Sequence, residues 1–162
     1  MADRLIAQCP GERNELIEDY RAVPTKVVII PSAVNTRVFY PVPRDEARHL
    51  LGLAPDNFVV VYVGRILPHK DVRNVVRAVA LLIRRLEQEQ RAPRVTLMIV
   101  GGETVEPDPQ AAPEIDELQR LATELGISNY LRFIGKRRQE TLRYYYSGAM
   151  SWFPLPGTSH LA

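Results

Sequence analysis

The sequence predicts an α/β protein built on a doubly wound parallel sheet. Three observations carry that expectation. Phe58-Val59-Val60-Val61-Tyr62-Val63 and Val95-Thr96-Leu97-Met98-Ile99-Val100 are almost continuously apolar, as strands buried on both faces of a parallel sheet are. Between and after them lie segments with helical periodicity, giving a β-α-β-α-β-α-β alternation from Phe58 onward. The first three of these strands close on glycine: Gly64, Gly101-Gly102 and Gly135.

Taken in order, Gly11 to Tyr20 reads as a short helix with Leu16, Ile17 and Tyr20 on one side. Val27-Val28-Ile29-Ile30 is a β-branched run closed by Pro31 and reads as a buried strand. Val38 to Arg44 contains Pro41 and Pro43 and reads as a linker. Asp45 to Leu51 is a short helix stopped by Gly52. After the strand from Phe58 and a loop from Arg65 to Lys70, Val72, Val75, Val76, Val79, Leu82, Ile83 and Leu86 form one amphipathic stripe. Arg73, Arg77, Arg84 and Arg85 fall mostly on its other side. Pro93 ends that helix before the Val95 strand. Glu103 to Pro113 is polar and proline-rich and reads as a surface excursion. Ile115 to Leu125 is helical, with Gly126 as its stop. A strand from Leu131 to Ile134, a helix from Gln139 to Ser147 and a strand from Met150 to Phe153, stopped by Pro154 and Pro156, complete the pattern.

Composition narrows the class. The 162 residues hold 21 Lys plus Arg and 19 Asp plus Glu, a formal charge of +2. That balance argues against a nucleic-acid partner. With 46% hydrophobic and 25% charged residues the chain is that of an ordinary globular protein. No apolar run is long enough for a transmembrane segment, and the N-terminus does not read as a secretory signal. A cytoplasmic protein is expected. Cys9 is the single cysteine, which excludes an intrachain disulfide and a multi-cysteine metal site.

Ligands of such sheets bind beyond the C-terminal ends of the strands. There, Gly64-Arg65-Ile66-Leu67-Pro68-His69-Lys70 is the most informative segment. It sets Arg65 and Lys70 between a strand and a helix start, whose free N–H groups favour an anion. An arginine fork and a lysine point charge could hold a diphosphate. Spacing alone is equally compatible with two solvated loop cations. Neither G-x-G-x-x-G nor G-x-x-x-x-G-K-S/T occurs, which weakens dehydrogenase and P-loop readings.

Several segments in order resemble the GT-B-fold, family 4 (group 1) glycosyltransferases. Ala2 to Ala7 resembles the strand near the end of that family's N-terminal domain. Ile30-Pro31-Ser32-Ala33-Val34-Asn35-Thr36-Arg37-Val38-Phe39 resembles I-P-N-G-V-D-x-x-x-F, and Val63-Gly64-Arg65-Ile66-Leu67-Pro68-His69-Lys70 resembles V-G-R-L-x-x-x-K-G. Ile99-Val100-Gly101-Gly102 resembles I-V-G-x-G. Phe133-Ile134-Gly135, with Leu142, Tyr145 and Ala149, resembles F-x-G-x-V…L…Y…A-D. The insertion after Gly102 is closest to the sucrose-phosphate synthase and MshA-like branch.

The resemblance implies an incomplete Rossmann-like sheet of a GT-B C-terminal domain. Residues 1–41 would be the tail of the acceptor domain and the interdomain linker, and residues 42–162 the first part of the donor domain. It implies retaining sugar transfer from a nucleoside-diphosphate sugar to an acceptor, usually without a metal and with no cofactor beyond that donor. Arg65 and Lys70 match the diphosphate contacts, with Gly64 permitting close approach. Gly135, Lys136 and Arg137 match the loop near the nucleobase. A solvated basic cluster of Lys136, Arg137 and Arg138 at a helix start is the competing reading. The full-length parent would be cytoplasmic or peripheral at the membrane.

Departures from the family pattern set further expectations. Asp71 stands where the family usually has glycine and is expected to N-cap the following helix. Its carboxylate would also repel a neighbouring diphosphate. Asn35 and Ala33 replace aspartate and glycine, at positions read as structural. Cys9 stands near a usual serine and is read as a small, partly buried side chain; His69 is read as a spacer, and His160 has no recognisable partner. No acidic residue follows Glu140, so the family's E-x-x-x-x-x-x-x-E pair is missing. The chain alone is therefore expected to be inactive. The alternatives are a stand-alone nucleotide-binding domain and a truncated product whose unfinished sheet self-associates.

Overall fold

A computed structural model describes residues 2–102, 104–106 and 113–152. They form two compact units that divide between Thr36 and Arg37. The first unit is a parallel strand–helix–strand: β1 (Leu5–Ala7), α1 (Pro10–Glu18) and β2 (Val27–Ile29). Leu5 pairs with Val27, Ile6 with Val28 and Ala7 with Ile29.

Cys9 starts α1. It occupies the N-cap, and its Sγ accepts the Glu12 N–H at 3.4 Å. The Glu12 carboxylate reaches back to accept the Gln8 N–H at 2.5 Å. Two groups at the helix entry are thereby partnered in the manner of a capping box. A serine would do the same with a stronger acceptor, so Cys9 is a cap as well as a partly buried thiol.

Two expectations for this unit need correction. The run from Val27 to Ile30 is not a buried strand. Val27 is buried, but Val28, Ile29 and Ile30 are 41%, 40% and 54% exposed. Register accounts for Val28, which shares a sheet face with its partner Ile6, itself exposed; Val27, Ala7 and Ile29 share the other face, which is covered at Val27 and Ala7 but not at the strand end, Ile29. Tyr20 lies beyond the end of α1 and is exposed, leaving Leu16 and Ile17 as the half-buried pair of that helix.

The second unit begins with residues 37–43 and α2 (Arg44–Leu50). It continues through β3 (Phe58–Val63), α3 (Val72–Gln88), β4 (Val95–Val100), α4 (Pro113–Glu124), β5 (Leu131–Gly135), α5 (Gln139–Gly148) and β6 (Ser151–Trp152). The sheet is parallel with order β5-β4-β3-β6. Val60, Tyr62, Leu97 and Ile99 face the α3 and α4 residues Val76, Val79, Ile83, Leu118 and Ala122. The alternate residues Val59, Val61, Met98 and Val100 pack with Leu53 and with Tyr145 of α5. Both faces of β3 and β4 are covered, which is why those strands read as unbroken apolar runs. Each fully buried valine or leucine contributes about 1.5–3 kcal/mol relative to exposure. The doubly wound α/β sheet expected from the sequence is the fold.

Residues 38–42, expected as a linker, are fastened to α5. The Arg143 guanidinium lies 4.4 Å from the Tyr40 ring and 4.9 Å from the Tyr144 ring, a cation–π arrangement. Arg143 also donates to the Tyr144 hydroxyl at 3.0 Å and to the Val38 carbonyl at 3.4 Å. The Val42 N–H donates to Ser147 Oγ at 3.2 Å, and Phe39 meets Tyr146 with ring centroids 6.5 Å apart. The helix expected from Asp45 begins one residue earlier, and Gly52 follows its end with φ +61°. The excursion after Gly102 lies largely outside the described residues, as do Phe153, Pro154, Pro156 and His160.

Candidate functional site

The sheet order decides where a ligand can sit. From β3 the chain steps outward to β4 and then β5, with α3 and α4 on one face. It then returns on the other face through α5 to place β6 against the opposite edge of β3. The reversal falls between β3 and β6, and open α/β sheets bind ligands beyond the C-terminal strand ends at such a point. The loop after β3 starts there, and it carries Arg65 and Lys70.

Arg65 is exposed, and Lys70 ends a short 3-10 turn, Pro68–Lys70, just ahead of α3. Neither side chain forms an ion pair or hydrogen bond with another described residue. Other arginines nearby are committed: Arg73 pairs with Glu117, and Arg120 pairs with Asp116 at 3.1 Å. The two loop cations are thus available to an anion, with the positive end of α3 beside them. His69, expected as a spacer, is exposed.

Asp71 does not cap α3 as expected. It holds the N-cap position, but its backbone is left-handed, φ 47° and ψ 44°, and its side chain makes no capping bond. Its carboxylate instead accepts the Asn74 side-chain amide. A left-handed backbone is what glycine adopts without cost and what Asp and Asn tolerate best among other residues. The aspartate therefore fits the backbone requirement of the family's glycine position while adding a negative charge beside Lys70.

The strand-end glycines are needed by the protein itself. A Cβ on Gly101, whose φ is +139°, would stand 1.9 Å from the Gly64 carbonyl oxygen. A Cβ on Gly135, at φ +76°, would stand 2.2 Å from the Val105 carbonyl oxygen. The Gly64 N–H donates to Val100 O at 3.0 Å and the Gly101 N–H to Gly135 O at 2.9 Å. The ends of β3, β4 and β5 are therefore stacked backbone on backbone.

Lys136, Arg137 and Arg138 follow Gly135, as expected, at the entry to α5. Their charges are differently employed. The Arg137 guanidinium donates to the carbonyls of Val105 at 2.8 Å and Lys136 at 3.0 Å. The Lys136 N–H donates to Thr104 O at 2.7 Å. These bonds stitch the loop after β4 to the loop after β5. Arg138 approaches Glu140 at 3.5 Å. Only the Lys136 ammonium of the three has no partner among the described residues.

A pocket of about 100 Å³ lies on the far side of the β3 loop, lined by Ile66, Pro68, Val72, Glu117 and Leu118. Its lining also carries Asp71, Glu114 and Arg73, the last paired with Glu117, and includes neither Arg65 nor Lys70. With three carboxylates against one already paired arginine it is a poor host for a diphosphate.

Residues 43–153 match the family model described as glycosyl transferases group 1. The chain belongs to this family. Among its curated relatives, D-inositol 3-phosphate glycosyltransferase of Actinosynnema mirum is 39% identical over 91% of this chain and 34% of its own length. The enzyme of the same name from Thermobispora bispora is 36% identical over 92% of this chain and 33% of its own. The chain spans about a third of the length of the curated relatives it matches. Among solved structures, sucrose-phosphate synthase of Thermosynechococcus elongatus superposes with a TM-score of 0.73 at 31% identity, covering 94% of this chain and 34% of that one. Alr3699/HepE of Anabaena in complex with UDP gives 0.72 at 22% identity over 96% and 40% of the two chains, a likeness of fold.

Membership in the group 1 glycosyltransferases agrees with the resemblance read from the ordered motifs, including its MshA-like and sucrose-phosphate synthase branch. The GT-B assignment of the sheet holds. No helix among the described residues is long and apolar enough to cross a membrane.

Two features of this group 1 chain escaped motif reading. Arg48 is 2% exposed inside α2, and no residue in its neighbourhood signals its role. Its Nε donates to Gly148 O at 3.1 Å, and its two Nη atoms donate to Ala54 O at 2.8 Å, Pro55 O at 2.7 Å and Asn57 O at 2.6 Å. Tyr62 reads as one more strand hydrophobe, yet its hydroxyl donates to the Arg65 carbonyl at 2.6 Å.

Proposed function

We propose that this chain supplies the donor side of a retaining sugar transfer. In this reading the diphosphate of a nucleoside-diphosphate sugar lies at the reversal between β3 and β6, with Arg65 and Lys70 as its cationic contacts. The chemistry asks for positive charge there, because negative charge grows on the nucleoside diphosphate as the sugar leaves. Lys136 would stand toward the nucleobase, and Arg137 would keep that loop in place. The observation that carries the reading is the position, at the sheet's reversal in a group 1 chain, of two cations without side-chain partners among the described residues.

For the domains we propose residues up to about 41 as the end of an acceptor domain and its connection, and the rest as donor domain; the two compact units divide near that boundary, between Thr36 and Arg37. The exposed face of Ile6, Val28 and Ile30 is what a strand pair from a larger parallel sheet would present. Catalysis by the chain alone is not part of the proposal.

The test is titration of the whole chain with UDP, GDP and ADP, followed by heat or by Trp152 fluorescence. We expect saturable binding of at least one diphosphate and a tenfold or greater loss in R65A, since one charge-assisted contact is worth about 1.5–3 kcal/mol. Absence of any signal to about millimolar ligand would sink the proposal.

A further inference from the structure

We propose that Tyr62 is a positioning residue for the anion-binding loop: its hydroxyl, held beneath Gly64, fixes the Arg65 carbonyl and so sets where the Arg65 side chain leaves the backbone. The inference rests on the donor-site reading above and adds to it a residue that touches no ligand.

Tyr62 is 2% exposed, and its ring belongs to the core between the sheet and α3. A phenylalanine would serve that packing equally. The hydroxyl is the unexplained part, because an unpaired hydroxyl in an apolar core costs stability. It is paired by a 2.6 Å bond to Arg65 O. The bond closes a three-residue span across Gly64. A Cβ on Gly64 would come 2.9 Å from the same hydroxyl oxygen, so glycine is what leaves the oxygen room. On either side the backbone is anchored, by Gly64 N–H to Val100 O at 3.0 Å and by Lys70 N–H to Leu67 O at 2.9 Å. Tyr62 supplies an anchor between them. Burial raises the Tyr62 pKa above its ordinary value of 10.0. The group therefore stays protonated, and remains a donor, throughout the neutral range.

This arrangement conveys order from the core to an exposed cation. Arg65 has no side-chain partner of its own among the described residues, so its starting point is set by its backbone alone. Loss of the hydroxyl leaves the ring in place and releases the carbonyl.

The test compares wild type, Y62F, G64A and G64A/Y62F as whole chains. Amide hydrogen exchange at Gly64 and Lys70, whose bonded N–H groups flank the loop, is the primary measurement, with UDP and uridine titrations beside it. Y62F is expected to speed exchange at those amides about tenfold while leaving β4 unchanged, the size of one net hydrogen bond. It should weaken UDP about fivefold and uridine not at all, and the UDP effect should vanish in an R65A background. G64A should lower the melting temperature, and Y62F should recover part of that loss by removing the oxygen in the way. Unchanged loop exchange in Y62F, or G64A equally damaging in both backgrounds, overturns the inference. If wild type takes no UDP while Y62F still loosens the loop, the donor-site reading fails and the Tyr62 anchor stands. Should Y62F not fold, 3-fluorotyrosine at position 62 keeps ring and hydroxyl with a lower pKa. Loop exchange must then accelerate at lower pH than in wild type, and an unshifted profile overturns the anchor.

Discussion

The carbonyl oxygen of Gly64 occupies the space where a side chain of Gly101 would begin, 1.9 Å from the ideal Cβ position. This contact holds the ends of the two central strands at backbone distance, directly beside the loop that bears Arg65. Gly101→Ala must both displace that carbonyl and force a residue with a side chain to φ +139°. We expect a loss of at least about 2–3 kcal/mol, since backbone strain of this kind costs about 1–3 kcal/mol by itself. Urea unfolding of the variant measures it, and a loss under about 0.5 kcal/mol would contradict the contact.

Arg48 ties three segments with four donated hydrogen bonds: α2 itself, the turn at 54–57 that feeds β3, and the end of α5 at Gly148. No carboxylate receives any of these bonds. Arg48→Met keeps much of the buried stem but strands several carbonyls. We expect destabilisation of about 3–5 kcal/mol, since each buried carbonyl left without a donor costs about 1–3 kcal/mol. Arg48→Lys should recover little, because one ammonium cannot span the fork. Thermal melting of the two variants against wild type decides it.

Asp71→Gly separates two effects. It relieves a left-handed backbone at a residue with a side chain but loses the bond from Asn74, and glycine adds unfolded-state freedom. We expect stability to change by less than about 1 kcal/mol. Removing a carboxylate beside Lys70 should tighten UDP about fivefold at low salt, from a repulsion of about 1 kcal/mol. The gain should shrink as salt is raised. Titrations at two ionic strengths test this, and weaker binding by D71G would refute it.

Stability should fall in alkali. Burial raises the pKa of Tyr62 above 10.0. In the folded chain it holds its proton at pH values where unfolded tyrosine has begun to lose it. Stability from this group is complete below about pH 10 and is lost as pH climbs through the folded-state pKa. The unfolding free energy measured in urea should therefore decline above about pH 10, by up to about 1.4 kcal/mol per pH unit from Tyr62. Y62F should decline less steeply than wild type. Equal slopes would show that Tyr62 ionises as freely folded as unfolded.

The central strands, their alternation with helices and the helix stripes were legible because each depends on local pattern. The alternation of Phe58 to Val63 with the stripe from Val72 states what must be buried and on how many faces. Two readings failed, one for a distant neighbour and one for a local backbone turn that residue type alone does not reveal. Val28 is as β-branched as Val60, but the face it shares with Ile6 is uncovered. Asp71 stands at the right place for a cap, and the backbone around Lys70 turns it left-handed instead.

By itself the sequence determined the fold class, the family and the pair of loop cations, because periodicity, glycine stops and ordered motifs are properties of neighbouring residues. Only the tertiary structure decided that the Arg65 loop lies at the reversal between β3 and β6, that Arg137 is spent on backbone carbonyls, and that Arg48 and Tyr62 are anchors. The reason is geometric. A guanidinium or a phenol takes its role from the carbonyls that folding brings to it, and in Arg48 the bond to Gly148 spans a separation of 100 residues.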